Sequence, residues 1–206
     1  MKLFSSKCSL LFSPFFLVMA ILIEPIGLFG QSDEWKQSLS SFVEWASNAG
    51  FEEKALNVTE PKWGSLNNSN PDFQRYIQFK SKEKREDNLE RTAYFKWHLA
   101  LYAFDETDDY LYARKDWLND FLENKTLRPG KDFRVYEYGK PGLVLFTENA
   151  FVIFQMECSQ YFEEEFRTWT KAILKHFADE NTSVIEIGCN GPLKWIKNAP
   201  DPKAWK

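Results

Sequence analysis

The chain has 206 residues, 17% of them aromatic, and carries 30 acidic against 26 basic side chains for a net charge of −4. That balance gives phosphate backbones no basic footprint, so nucleic acid is excluded as an expected partner. Two histidines and three cysteines leave little material for metal or nucleophile chemistry, whereas the aromatic content supplies ample apolar area for a core.

Lys2 and Lys7 open the chain with a short positive segment, and residues 10–23 follow as an apolar one. Pro25 and Gly27 interrupt it, and Leu28-Phe29-Gly30 precedes Gln31, which is the layout of a secretory signal peptide cut after Gly30. Glu24 and the modest apolar length disfavour a lasting transmembrane helix. The expected product is exported, periplasmic or extracellular, with a single α+β domain over residues 31–190. A Pro-containing tail over residues 191–206, ending near Trp205, is expected to leave the sheet. Export places Cys158 and Cys189 in an oxidising compartment, where a disulfide between them staples the sheet if the strands they follow are neighbours. Asn57, Asn67, Asn124 and Asn181 head glycosylation sequons, which matter only in a eukaryotic secretory pathway.

From residue 31 to residue 48 an amphipathic helix is predicted, with Trp35, Leu39, Phe42, Val43 and Ala46 on one face and Gly50 as its stop. Residues 51–60 are ambiguous, and residues 61–71 are a loop by composition. Residues 72–81 lean to a strand, and the mixed charges of 82–88 suggest a hairpin tip. Residues 92–104 alternate as a long strand, with Ala93, Phe95, Trp97, Leu99 and Leu101 on one face and Tyr94, Lys96, His98 and Tyr102 on the other. An acidic run, Asp105 to Asp109, then starts a helix whose buried side is assigned to Tyr110, Leu111, Trp117, Leu118 and Phe121.

Three strands are predicted next, at residues 133–138, 143–147 and 151–157, with Pro141-Gly142 at the centre of a type II turn between the first two. The third strand is apolar on both faces and is expected to be covered on both. A helix over residues 159–178 follows, with Ser159 as N-cap and Phe162, Phe166, Trp169, Ile173 and Phe177 as its stripe. A last strand spans residues 183–187. The fold class is therefore α+β: a mainly antiparallel sheet made of a hairpin, a three-strand meander and a final strand, with about three helices covering one side.

No motif announces chemistry. His98, Cys158, His176 and Cys189 are zinc-ligand types without ligand spacing. Asp105, Thr107, Asp109 and Asp116 fall at calcium-loop positions, but Tyr110 stands where the loop needs glycine. No catalytic residue, metal or cofactor is assigned. Trp63, Tyr94, His98 and Tyr102 are the candidate ligand-contacting residues, being aromatic or polar side chains on a loop and on the strand face opposite Phe95 and Trp97. The expectation is a non-catalytic module that offers a sheet face or edge to a partner protein. The alternatives are a small-ligand carrier for a sugar or lipid and, more weakly, a hydrolase using carboxylates or a histidine.

Overall fold

Alternating side chains build a sheet with two buried faces, and the amphipathic helices close over it. The computed structural model describes residues 31–57, 66, 69–121, 140–189 and 193–198. Helix α1 spans Gln31–Asn48, followed by strands β1 (Phe51–Ala55), β2 (Phe73–Glu86) and β3 (Thr92–Ala103) and helix α2 (Thr107–Phe121). Strands β4 (Gly142–Phe146) and β5 (Ala150–Met156), helix α3 (Glu163–Phe177) and strands β6 (Ser183–Ile187) and β7 (Leu193–Lys197) complete the order. The seven strands form one antiparallel sheet in the order β1-β2-β3-β5-β4-β6-β7. The α+β class is as predicted; the predicted strand at 133–138 lies outside the described residues.

The helices do not all cover one side. α1 and α3 lie side by side on one face, where Phe42, Phe79, Trp97, Phe154 and Trp169 form the centre of a large core. α2 covers the opposite face through Tyr110, Ala113, Trp117 and Leu118, packed on Val144, Phe146, Phe151 and Ile153. A sheet whose central strands are apolar on both faces needs cover on both, which is why the one-sided expectation fails. β5 is buried at every position, as its pattern implied. On α2 the predicted inward Leu111 is instead 43% exposed, because the inward arc runs through Tyr110, Ala113 and Trp117.

Three boundaries moved for tertiary reasons. The charged segment after residue 81 is not a hairpin tip: β2 continues to Glu86 through a bulge between Lys80 and Lys84. The Ser81 hydroxyl stabilises that bulge by accepting from the Phe95 N–H and donating to the Glu83 carbonyl. The turn lies at Asp87, whose carboxylate accepts from the Leu89 and Arg91 amides and from the Arg91 guanidinium. Those contacts, led by the Arg91 side chain, hold the Asp87 pKa at about 2.

Ser159 does not cap α3. It sits in a 3-10 turn (Cys158–Gln160), and Phe162 is the N-cap. Tertiary hydrogen bonds pin that turn: the Asn88 N–H donates to the Ser159 carbonyl, and the Lys96 N–H donates to Gln160 Oε1. Finally, residues 193–197 do not leave the sheet. They pair with β6 as β7, and Trp195 packs against the α2-side core.

Candidate functional site

β3 carries three of the four predicted ligand residues, on the face away from α1 and α3. Tyr94 lies beneath two ammonium groups, Lys80 Nζ at 4.0 Å and Lys84 Nζ at 5.8 Å from its ring centroid. His98 is half-buried beside Gln78, Nε2 to Nε2 at 2.9 Å. An amide nitrogen only donates, so in this contact His98 Nε2 is the acceptor. Tyr102 is fully buried and packs edge-on against Tyr76 at 5.6 Å. Burial, followed by the Tyr76 hydroxyl, raises the Tyr102 phenol well above its ordinary pKa.

These three side chains do not converge. They lie four residues apart along one strand, so Tyr94 and Tyr102 are separated by roughly 26 Å at about 3.3 Å per residue. Each has its own local contacts, and no single small ligand spans them. Trp63 lies outside the described residues. Gln155, which the sequence did not single out, lies opposite His98 in the register and leaves a buried Oε1 without a hydrogen-bond partner.

The cysteines are close but unbridged. β5 and β6 are not neighbours, because β4 lies between them. Cys158 follows β5 and Cys189 follows β6, and no disulfide joins them. The Cys189 thiol is in hydrogen-bonding contact with Cys158, and burial and that contact together push its pKa up to about 12. Among the described residues no three His, Cys, Asp or Glu side chains gather into a metal-holding group. No described helix is long and apolar enough to cross a membrane.

Among the cavities formed by described residues, two open ones lie beside helix α1. The smaller, about 180 Å³, lies between the start of α1, the end of α3 and the β4–β5 turn. Trp35, Asn149 and His176 line it together with Glu34, Glu148 and Asp179. Trp35 Nε1 donates to Asn149 Oδ1 at 3.2 Å, and Asp179 Oδ1 accepts from the Asn181 N–H and the Thr182 hydroxyl. Burial, with help from the Lys175 charge, lowers the His176 pKa, and among the described residues no carboxylate is within ion-pair distance of its ring. The arrangement holds a histidine among acids, with no acid–imidazole hydrogen bond among the described residues.

The larger cavity, about 310 Å³, is a shallow groove at the β1 edge of the sheet. Its floor is Phe73, Ile77 and Ala55, its wall is Leu39 and Val43 of α1, and its rim carries Lys36, Glu53 and Arg75. The Arg75 guanidinium lies 4.8 Å above the Phe73 ring, which holds that charge at the mouth. Beside the groove runs β1, which pairs on one side with β2 and is, among the described residues, the terminal strand of the sheet.

Which β1 peptide units face outward follows from two flanking bonds. The Gly50 carbonyl accepts from the Lys82 N–H, and the Leu56 N–H donates to the Tyr76 carbonyl. In an antiparallel ladder the bonding positions alternate, so Gly50, Glu52, Lys54 and Leu56 turn toward β2. Phe51, Glu53 and Ala55 therefore direct their N–H and C=O groups away from the sheet. The side chains split differently: Phe51, Glu53 and Ala55 share the α1 face, and Glu52 and Lys54 share the other. Residues 51–55 were ambiguous in sequence because charges occupy every interior position of so short a strand. Searches against protein-family models, curated proteins and solved structures find no match for this chain.

Proposed function

We propose that this is an exported interaction protein that receives an extended segment of a partner protein along β1. The observation that carries the reading is the juxtaposition of a terminal strand, with three outward-facing peptide units, and an apolar groove rimmed by charge. An added strand satisfies its backbone on β1 and sets alternate side chains over Phe73, Ile77, Leu39 and Val43, the division of labour seen wherever a peptide extends a sheet. Glu52, Glu53 and Lys54 place charge at each interior position of the edge, which discourages indiscriminate pairing and makes a charge-matched partner the one that fits.

The test uses a photo-crosslinking amino acid in place of Lys54 in the full chain, in its own host. One adduct of fixed mass is expected, lost when Glu53→Pro is added and not formed from position 112, where Tyr112 is 73% exposed on α2. Glu53→Pro removes only an outward-facing N–H, so the β1–β2 ladder survives the change. Equal adducts from positions 54 and 112, or indifference to the proline, overturn the reading.

Export carries a second expectation. In an oxidising compartment the adjacent Cys158 and Cys189 thiols transfer two electrons and two protons to a disulfide oxidant and become bridged. Intact-mass measurement of the exported protein is expected to show loss of residues 1–30 and alkylation of both cysteines only after reduction. Full alkylation without reductant, or a retained N-terminal segment, counts against it.

A further inference from the structure

We propose that the strand received along β1 is β1 of a second copy of this chain, so that two sheets join edge to edge about a twofold axis. This rests on the edge-strand reading above and names its partner. The support is the order of charges in Phe51-Glu52-Glu53-Lys54-Ala55 combined with the direction of each peptide unit.

Only residues of like type can lie opposite one another in an antiparallel pair. Phe51, Glu53 and Ala55, whose backbone groups face outward, must therefore meet Phe51, Glu53 or Ala55 of the second copy. Three registers with substantial overlap satisfy this condition. One centred on Glu52 sets Glu52 against Glu52, and one centred on Lys54 sets Lys54 against Lys54. The register centred on Glu53 overlaps all of β1 and sets Glu52 against Lys54 twice, once in each direction.

That central register also arranges distances well. Glu52 and Lys54 fall at non-hydrogen-bonded positions, where opposite Cα atoms approach to about 4.5 Å and side chains meet most closely. Its one like-charge contact, Glu53 against Glu53, falls at a hydrogen-bonded position with the wider spacing of about 5.5 Å. The three outward-facing residues then exchange about six backbone hydrogen bonds with the second copy. The charges that deter a random strand thus select one specific one.

Sedimentation equilibrium on protein purified after expression of the full chain tests this. The wild type is expected to be dimeric at micromolar concentration. Glu52→Lys and Lys54→Glu each turn two attractive pairs repulsive and are expected to weaken self-association roughly tenfold or more. Mixing the two single variants, or combining both changes in one chain, is expected to restore pairing, an outcome that mere misfolding does not produce. Glu53→Gln removes the central repulsion and tightens the dimer; Glu53→Pro abolishes it while leaving circular dichroism and melting unchanged.

A dimer insensitive to all four substitutions overturns the proposal. A wild-type monomer whose crosslinked adduct contains a different protein also overturns it, and leaves the edge-strand reading standing. A wild-type monomer with no proline-sensitive adduct overturns both.

Discussion

Trp169→Ala is expected to destabilise the protein by about 3–5 kcal/mol, the range for removing a large buried aromatic side chain. Trp169 is 1% exposed and lies where both helices of its layer meet the sheet. Its ring stacks on Phe154 at 5.4 Å, with an interplanar angle of 12°. Trp97 meets it edge-on at 4.4 Å, Phe51 at 4.9 Å, Trp45 at 5.0 Å and Phe42 at 5.7 Å. Those rings come from α1, β1, β3 and β5, so no single element can move to close the space that alanine leaves. Domains of this kind have about 5–15 kcal/mol of total stability, and the substitution therefore removes a large fraction of it. Urea unfolding followed by circular dichroism measures the effect, with the exposed Tyr112→Ala expected to stay within about 0.5 kcal/mol of wild type. A Trp169→Ala loss below about 1 kcal/mol would show that this core is not the one that holds the sheet.

Gly142→Ala is expected to cost about 3 kcal/mol or more, a large effect for one methyl group. A Cβ built on Gly142 falls 2.1 Å from the Phe154 carbonyl oxygen and 3.1 Å from Gln155 Cγ. The nearest obstacle is backbone of the adjacent strand, so no rotamer change relieves it. β4 is hydrogen-bonded to β5 on one side and β6 on the other, and it cannot shift away from one without disturbing its pairing with the other. Gly50 provides the contrast. It holds φ at +90° with nothing within 4 Å of a built Cβ, so alanine there meets only backbone strain, roughly 1–2 kcal/mol. Thermal unfolding of the two variants side by side distinguishes steric exclusion from conformational preference. Gly142→Ala melting no lower than Gly50→Ala would remove the steric explanation.

Gly142 also illustrates what sequence alone misassigns. Pro141-Gly142 reads as a turn with glycine at positive φ, yet Gly142 is the first residue of β4 and φ is not positive there. Its lack of a side chain answers a close approach between strands, which no local pattern encodes. The candidate site divides in the same way. The shared face of Tyr94, His98 and Tyr102 was legible from alternation, but Tyr102 is buried in the α2-side core and the three are too far apart along the strand for one small ligand. The β1 edge, by contrast, depends on which described strands lie beside it, and Phe51 to Ala55 contain no sign of that.

What the sequence determined by itself is the sidedness of its elements. The stripe of α3, the two-faced burial of β5 and the alternation of β3 are written in spacings of 3.6 and 2, because each residue's direction follows from the backbone helix or strand that carries it. Only the tertiary structure decided who lies beside whom: β4 between β5 and β6, β7 added beyond β6, α2 on the face opposite its sister helices, and β1 left at the rim. Strand order and register are settled by competition among distant segments for the same hydrogen bonds and the same apolar surface. The outcome of that competition is a property of the assembled chain and of no single stretch within it.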